Sequence, residues 1–306
     1  MAPIRNLDQL VQELKDKPSR RVAVAAGHDP NTIAAAARAA AEDIAAVTLV
    51  GDGERIGALC AEYGLDAALF TVVDIPDVLE AGAKAVAMVR SGEADVLMKG
   101  LIATSDYMKL ILNKEEGLLP AGNVLSHITV LELPEHMKRH DKLVFASDVA
   151  IIPAPDLETK AQILDYCVQA AHSFGIETPK VAVLAATEKV SPRMPATVDA
   201  AELKRRNEEG EITGCIVDGP LALDVAISPE ACEIKGLTSP VEGAADILVF
   251  PNIESGNVFY KSSTLLSGAR LAAAVVGTSA PCVLTSRADD EESKFLSIAM
   301  GCRLVG

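Results

Sequence analysis

Short apolar runs alternate with alanine-rich, helix-like stretches along most of this chain, and this alternation constrains the fold more than any other feature. Runs of strand length at 21–26, 46–50 and 69–73 end at glycine or polar residues, and apolar residues at helical spacing follow each of them. Aromatic residues supply only 3% of the chain and tryptophan is absent, so alanine, valine, leucine and isoleucine must fill the core. The pattern predicts an α/β fold with parallel, doubly wound sheets.

The remaining runs and the chain length indicate two domains. Further strand-like runs lie at 95–98, 125–133, 142–146, 181–185, 214–217, 246–250 and 282–284. The pattern loosens between 113 and 121, and 306 residues suffice for about two domains of roughly 150 residues each. We expect 125–133 and 142–146 to form an antiparallel hairpin, joined by a polar turn in which His136 and His140 are solvated.

Charge and cysteine usage exclude several classes of protein. The chain has 28 basic and 43 acidic side chains and a net charge of −15, without a basic stripe interleaved with aromatics, so we expect no nucleic-acid partner. No run of 18 apolar residues occurs, and no apolar signal segment precedes Asp8, so we expect no membrane span. The six cysteines are scattered without a CxxC pair, which is typical of a reducing, cytoplasmic environment.

Polar loops follow four of the predicted strands, after Met98, Val217, Phe250 and Leu284. In parallel α/β sheets, ligands bind at the carboxyl ends of strands, where loops and helix N-termini present backbone N–H groups. These loops contribute lysine, threonine, aspartate, asparagine, serine and arginine side chains. That set of side chains suits phosphate and carbonyl oxygens, and it predicts an anionic substrate.

Individual candidate residues each allow two interpretations. Ser286 and Arg287 either hold an anionic substrate or form a helix N-cap beside a surface arginine. Lys99 and Thr104 either belong to a phosphate cradle or to an ordinary loop with a solvated lysine. His127 is either a hydrogen-bonded core histidine or a member of the site.

The sequence predicts neither a metal site nor a bound cofactor. His136 and His140 have the spacing of a two-histidine pair, but no third ligand accompanies them at matching spacing. No GxGxxG fingerprint follows any predicted strand.

A set of motif segments runs along the chain: Met98-Lys99-Gly100-Leu101, Ser126-His127, 217–224, 251–261, and Gly277-Thr278-Ser279-Ala280-Pro281 leading into 285–289. These segments resemble one known family, the phosphate acetyl/butyryltransferases, and in particular its butyryl branch. They occur in the same order as in the family, and the resemblance spans about 21–299.

The resemblance implies an architecture and a reaction. It implies two α/β domains of the isopropylmalate-dehydrogenase-like type with an interdomain active-site cleft, and a last segment that returns to the first domain. We therefore expect domains at 1–122 plus 278–306 and at 123–277. The implied reaction converts acyl-CoA and inorganic phosphate into acyl phosphate and CoA. Coenzyme A is then a substrate, and members of the family are homo-oligomers.

The resemblance also implies site residues. Ser286 and Arg287 match a serine–arginine pair beside the reacting thioester and phosphate, and Lys109 stands where relatives have an arginine that contacts CoA or phosphate. Acetyl-specific relatives have an aspartate where this chain has Ser293, so the general base is unassigned, with Asp289 and Asp290 as candidates. With the strand-end loops, the matching motifs indicate phosphate or CoA contacts from Lys99, Thr104, Lys109, His127, Asp218, Asn257, Tyr260 and Lys261.

Three alternatives stay open on the sequence. The acyl group is either butyryl or acetyl. A dehydrogenase that uses NAD and a metal would share the fold, with Asp148, Asp218 and Asp224 as ligands of a divalent ion. A non-catalytic acyl-CoA-binding protein would bind CoA without releasing a thiol.

Overall fold

The computed structural model describes residues 2–285 and 289–305, and it has an α/β architecture with twelve α-helices and eleven β-strands in those ranges. The helices are α1 (Leu7–Lys15), α2 (Pro30–Ala41), α3 (Gly53–Tyr63), α4 (Val78–Arg90), α5 (Thr104–Ile111), α6 (Pro134–His140), α7 (Leu157–Ser173), α8 (Pro195–Glu208), α9 (Leu223–Ile227), α10 (Pro229–Lys235), α11 (Ile253–Leu265) and α12 (Glu291–Leu304). The strands are β1 (Arg20–Ala25), β2 (Ala45–Gly51), β3 (Phe70–Asp74), β4 (Val96–Lys99), β5 (Ser126–Glu132), β6 (Val144–Ser147), β7 (Lys180–Leu184), β8 (Ile216–Leu221), β9 (Ile247–Val249), β10 (Arg270–Val276) and β11 (Cys282–Val283).

The described chain divides into two compact units. The first unit contains 7–125, 272–285 and 289–305, and the second contains 2–6 and 126–271. The last segment of the chain therefore belongs with the first unit. The domain limits expected from the sequence stay a prediction.

The sheet of the first unit has the strand order β3-β2-β1-β4-β11, with most of β10 at its end. All pairs from β3 to β11 are parallel, and β10 runs antiparallel to β11. In this register Lys99 lies opposite Ala25, and Met98 lies opposite Val283. The chain segments that follow β1, β4 and β11 therefore leave the same edge of the sheet, and this edge carries the pocket described below.

The sheet of the second unit has the order β5-β6-β9-β7-β8. Strands β5 and β6 are antiparallel, as the sequence predicts, and the other pairs are parallel. Ser147 at the end of β6 pairs with Val249 at the end of β9. The residues that follow these two strands, 148–151 and 250–253, thus begin at a common edge.

Local sequence determines where the helices begin. The carboxylate of Asp29 accepts hydrogen bonds from the backbone N–H of Thr32 at 2.9 Å and from its hydroxyl at 2.6 Å, while Pro30 occupies the first turn of α2. Asp290 caps α12 in the same way by accepting from the N–H of Ser293 at 2.8 Å. Alanines fill the buried face of α2, which lets this helix pack closely against α12.

The structure corrects two expectations. The predicted turn at 134–141 is the short helix α6, which starts with a proline and ends at Asp141 in a left-handed conformation with φ of 51°. His136 on this helix is buried rather than solvated. The sequence analysis also missed β10, because an alanine-rich run has little strand propensity of its own and is held here by sheet pairing. No helix in the described part of the chain is long and apolar enough to cross a membrane.

Candidate functional site

The predicted reactive pair, Ser286 and Arg287, lies outside the described residues. On either side of it, Thr285 is buried and Asp289 is half-buried. Asp289 immediately precedes Asp290, the N-cap of α12. The position of this pair along the chain is therefore between the end of the β11 segment and the start of α12.

Lys99 is the best-defined member of the predicted site. It is the last residue of β4, its side chain is buried, and its Nζ donates a hydrogen bond to the carbonyl oxygen of Gly100 at 3.3 Å. A Cβ at Gly100 would collide with the carbonyl oxygen of Ala26, so only glycine lets the chain pass this close to the end of β1. The Lys-Gly pair thus turns the chain sharply at the strand end and keeps the ammonium group inside.

A small polar pocket surrounds this ammonium group. The other residues that line it are Asp29, Thr32, Gly100, Leu101, Thr285 and Lys294. Its free volume is about 10 Å³, which is room for about one water molecule. The charged residues of this lining are two lysines, Lys99 and Lys294, and one aspartate, Asp29.

Lys294 forms an ion pair with Asp29 in this pocket. The Lys294 Nζ lies 3.3 Å from Oδ2 of Asp29, and the lysine side chain is only 3% exposed. Burial alone would raise the pKa of Asp29, but the hydrogen bonds from Thr32 and the charge of Lys294 outweigh it and lower that pKa below its ordinary value. Asp29 is therefore ionised at neutral pH and fixes the lysine.

Thr104 and Lys109 do not line this pocket. Thr104 is the exposed first residue of α5, and the Lys109 side chain is 77% exposed. The Lys109 Nζ forms a surface ion pair with Asp106 at 2.9 Å, one turn away on the same helix. Both residues follow β4 closely in the chain, so they belong to the same strand-end region as Lys99 without sharing its burial.

In the second unit, His127 is held by Asp148. The Oδ2 atom of Asp148 accepts hydrogen bonds from the backbone N–H of His127 at 3.1 Å and from the hydroxyl of Ser126 at 2.9 Å. Its Oδ1 atom accepts from the N–H groups of Ala150 and Ile151 at 2.7 and 2.8 Å. The His127 ring is buried, with Nδ1 3.3 Å from the hydroxyl of Thr129.

Asn257, Tyr260 and Lys261 lie together on α11. The Asn257 side chain donates to the carbonyl oxygen of Val149 at 3.0 Å, so it contacts the same turn that Asp148 organises. Tyr260 is buried, and the Lys261 Nζ lies 4.4 Å from the centre of its ring. His127 and Asn257 are thus connected through one segment, 148–149, and the other two predicted residues follow within a turn of helix.

Asp218 has different surroundings. Its carboxylate accepts a hydrogen bond from Ser239 at 2.5 Å and forms an ion pair with Lys204 at 2.8 Å. The hydrogen bond to Asp218 raises the pKa of Lys204. The three carboxylates considered as metal ligands have separate partners, with Asp224 paired to Lys235 at 3.0 Å. No group of three or more metal-ligating side chains occurs within 2–285 and 289–305.

Sequence reasoning missed Asp29, Thr32 and Lys294. The loop around Asp29, with its glycine and proline, indicated a strand end. Asp29 is also the N-cap of α2, and this local role gave no sign that its carboxylate pairs with Lys294 as well. The one available signal was Lys294 itself, a lysine next to the apolar residues of α12 that the fold buries. Its partner is 265 positions away in the chain, and no local pattern connects the two.

An α/β protein with buried lysines at the carboxyl ends of parallel strands belongs to the class of proteins that bind ligands at such edges. The family model described as "Phosphate acetyl/butaryl transferase" matches residues 6–83 and 77–302. The chain therefore belongs to the phosphate acetyl/butyryltransferase family.

Individual relatives agree with this membership. The chain is 43% identical over 303 residues to a phosphate butyryltransferase from Clostridium acetobutylicum, with 99% of both chains covered. It is 42% identical over 294 residues to a phosphate acetyltransferase from Thermotoga maritima, with 96% of this chain and 98% of the relative covered. A crystal structure of a branched-chain phosphotransacylase from Enterococcus faecalis V583 superimposes with a TM-score of 0.81 at 34% identity, covering 94% of this chain and 99% of the other.

Proposed function

We propose that this protein transfers a short-chain acyl group, with butyryl as the principal one, between coenzyme A and inorganic phosphate. The observation that carries the proposal is the full-length similarity to acyltransferases named for phosphate as a substrate. The buried ammonium group of Lys99 at the end of β4 supports an anionic substrate independently. The residues below are assigned as part of this proposal.

The reaction is a direct attack of phosphate on the thioester. A phosphate oxygen forms a bond to the carbonyl carbon, the C–S bond breaks, and CoA leaves as a thiolate that takes up a proton. Phosphate is already an anion at neutral pH, so this direction needs positioning and charge neutralisation more than a general base. Arg287, Lys109 and Lys261 are proposed to neutralise the phosphate, together with Lys99.

Ser286 is proposed to donate a hydrogen bond to the carbonyl oxygen as negative charge develops there. In the reverse direction the CoA thiol, with an ordinary pKa of about 8.5, must lose its proton, and Asp289 is the candidate acceptor. Thr104, His127, Asp218, Asn257 and Tyr260 are proposed contacts to phosphate or CoA. Of these, Asp218 has the weakest support, because Lys204 and Ser239 already hold its carboxylate.

No acyl-enzyme intermediate is proposed. Burial raises the pKa of the Cys282 thiol to about 12, and it does the same to Cys167 and Cys302. All six cysteines are buried and free. A thiol in this state is protonated at neutral pH and is a poor nucleophile.

The length of the acyl chain is the finer part of the proposal. Two methylene groups contribute about 1.6 kcal/mol when they are buried, or roughly a tenfold preference. Identity to relatives does not separate the two cases, since it is 43% to a butyryl- and 42% to an acetyltransferase. The substitution of serine at position 293, where acetyl-specific relatives have aspartate, favours butyryl. We also propose a homo-oligomer that acts in the cytoplasm, where buried free thiols are stable.

A comparison of acyl-CoA substrates tests this function. Purified protein is mixed with phosphate and with acetyl-, butyryl- or isobutyryl-CoA, and the free thiol is measured with a chromogenic disulfide. We expect phosphate-dependent release with all three and the highest kcat/KM with butyryl-CoA. Preference for acetyl-CoA would replace butyryl by acetyl. Binding of acyl-CoA without thiol release would indicate a non-catalytic binding protein. Reduction of NAD in a separate mixture with a 2-hydroxy acid and Mg²⁺ would indicate a dehydrogenase.

A further inference from the structure

Helix α11 is covered on one side. Gly256, Tyr260 and Ser263 follow each other at spacings of four and three residues, and all three are buried. A Cβ at Gly256 would collide with the carbonyl oxygen of Asp148, so this side of the helix lies directly against the turn that follows β6. The helix is thereby fixed to the sheet of the second unit.

The opposite side of α11 carries aliphatic side chains that are exposed. Val258, Ser262 and Leu265 repeat the spacing of four and three with an offset of two residues, or about 200° around the helix. Val258 is 66% exposed, Leu265 is 79% exposed, and Leu266, the C-cap residue, is 83% exposed. We call these four residues the outer stripe of α11.

The outer stripe differs from the other exposed apolar residues of the described chain by its density. Exposed apolar side chains that occur singly are normal on protein surfaces, whereas a contiguous group marks a contact with another molecule. The other large apolar side chains that are exposed each lie on a different element or loop: Tyr63, Val72, Leu79, Leu112, Val190, Val198 and Ile234. The outer stripe instead places three aliphatic side chains on one helix face, so we expect a partner to cover it.

The charge of the chain indicates which partner the outer stripe fits. A net charge of −15 keeps copies of this protein apart, and like charges that face each other across an interface disfavour a complex. No acidic residue occurs between Glu254 and Asp289, and Glu254 lies in the first turn of α11, at the opposite end from Leu265 and Leu266. The outer stripe therefore presents no carboxylate to a second copy, and it offers a basic partner no charge to bind.

The spacing of the outer stripe is self-complementary. In a two-fold symmetric dimer, the same patch of both subunits meets. When two α11 helices cross antiparallel at Ser262, Val258 lies opposite the partner's Leu266, because both positions are four residues from Ser262. A serine at the crossing point is small, so the helix axes can approach closely enough for the flanking aliphatic side chains to meet.

We propose that the outer stripe of α11 is the central contact of a symmetric homodimer, in which it packs against the outer stripe of a second copy of this chain. This inference rests on the homo-oligomer of the proposed function and gives it a defined surface. The same helix carries Asn257, Tyr260 and Lys261, so the interface also fixes the helix that holds three of the proposed substrate contacts.

Leu266→Glu tests the interface, because it places one carboxylate from each copy in the contact. By analytical ultracentrifugation, the wild type is expected to be a dimer with twice the subunit mass of 32.0 kDa. The dissociation constant of Leu266→Glu is expected to be about a hundredfold higher, which is tenfold for each of the two substituted sites. The matched control is Ile234→Glu, which introduces the same charge at an aliphatic residue of α10 that is 79% exposed. It is expected to keep the wild-type mass.

A pair of complementary variants tests the register of the two helices. Val258→Lys and Leu266→Glu are each expected to weaken the dimer when they are alone. An equimolar mixture of the two is expected to associate, because the introduced lysine of one chain faces the introduced glutamate of the other. Association in the mixture also shows that both variants are folded.

The outcomes separate the interface from the reaction. If Leu266→Glu does not fold, Leu265→Glu takes its place with the same expectations. A monomeric wild type, an unchanged mass of the Leu266→Glu variant, an equal loss in Ile234→Glu, or a mixture that stays dissociated would overturn the assignment. Absence of phosphate-dependent thiol release by a dimeric wild type would instead refute the proposed function.

Discussion

The carboxylate of Asp148 accepts a hydrogen bond from the backbone N–H of His127 at 3.1 Å, which connects the end of β6 to the start of β5. The same carboxylate accepts three further hydrogen bonds, from Ser126, Ala150 and Ile151. Asn257 contacts the turn that these bonds hold. One buried aspartate thus determines the geometry of two predicted substrate contacts.

Replacing Asp148 by alanine is expected to destabilise the protein by about 3 kcal/mol, because two buried and two part-buried donors lose their acceptor. Urea denaturation of Asp148→Ala and of the wild type measures this difference. The comparison variant is Asp77→Ala, which removes the exposed N-cap of α4 and its two bonds of 2.9 Å; it is expected to cost about 1 kcal/mol. Equal losses in the two variants would argue against a central role for Asp148.

Ser286→Ala is expected to lower kcat by about a hundredfold to a thousandfold, the usual effect of losing one donor to a developing oxyanion. Arg287→Ala is expected to lower kcat/KM for phosphate at least as much, because its guanidinium is proposed to neutralise the charge of the nucleophile. Thiol release from butyryl-CoA measures both. Arg90→Ala, which removes an exposed arginine from the end of α4, is the control and should retain full activity. Near-full activity in either site variant would exclude that residue from the chemistry.

Cys282→Ala is expected to retain its activity, although Cys282 lies in the strand that leads to the reactive pair. With a pKa raised to about 12 by burial, the thiol carries no negative charge at pH 7 to 8. An exchange assay adds a second criterion: labelled CoA should not enter butyryl-CoA when phosphate is absent. Exchange without phosphate, or loss of activity in the variant, would point to a covalent acyl-enzyme.

Lys109→Ala is expected to raise the KM for phosphate only severalfold and to leave the melting temperature unchanged. Its ion pair with Asp106 is on the surface, and exposed pairs contribute at most about 1 kcal/mol. The effect of the substitution on phosphate binding should also weaken at high ionic strength, because salt screens exposed charges. A loss as large as that of Arg287→Ala would show that Lys109 is buried by the bound substrate.

His136 makes the stability of the second unit depend on pH. Burial, together with the charges of His140, Lys142 and Arg139, lowers its pKa from 6.5 to about 3. The histidine is therefore neutral in the folded protein. Above pH 6.5 it is neutral in the unfolded chain as well, so its burial causes no pH-dependent loss of stability there. As the pH falls from 6.5 towards 3, the unfolded chain takes up a proton that the folded chain does not. The free energy of unfolding therefore decreases by about 1.4 kcal/mol per pH unit.

Between pH 6 and pH 4, unfolding of His136→Leu is expected to take up about one proton fewer than unfolding of the wild type. The slope of the free energy of unfolding against pH, measured by urea denaturation at several pH values, gives this number. It also removes two ring nitrogens that are buried without a hydrogen-bond partner among the described residues. His172→Gln, at an exposed position, is the control and should keep the wild-type slope. Identical slopes for all three proteins would show that His136 is solvated.

The sequence predicted the elements well where local signals are strong. The strand at 95–98 and the following Lys99-Gly100 turn, the hairpin of β5 and β6, and the long helix α7 all follow from apolar periodicity and from glycine and proline positions. The same signals failed for α6, which has seven residues and too few turns to show a period. They also failed for β10, because its alanines have little strand propensity and the strand is held by pairing with neighbouring strands of the sheet.

The candidate site was predictable only in part, for a related reason. Lys99 stood out because it follows a strand, and its burial could not be read from its neighbours in sequence. The Asp29–Lys294 pair joins residues from the two ends of the first unit, so it depends on the packing of α2 against α12. The separate partner of Asp218, Lys204, was hidden in the same way, because the ion pair links β8 to α8.

The central claim is that inorganic phosphate is the acceptor of the acyl group. Purified protein, butyryl-CoA and phosphate are incubated together, and free CoA and acyl phosphate, trapped as the hydroxamate, are measured in the same samples over time. We predict one acyl phosphate for each CoA released, and no release when phosphate is omitted. Thiol release that continues without phosphate, or that yields butyrate instead of butyryl phosphate, would contradict the account.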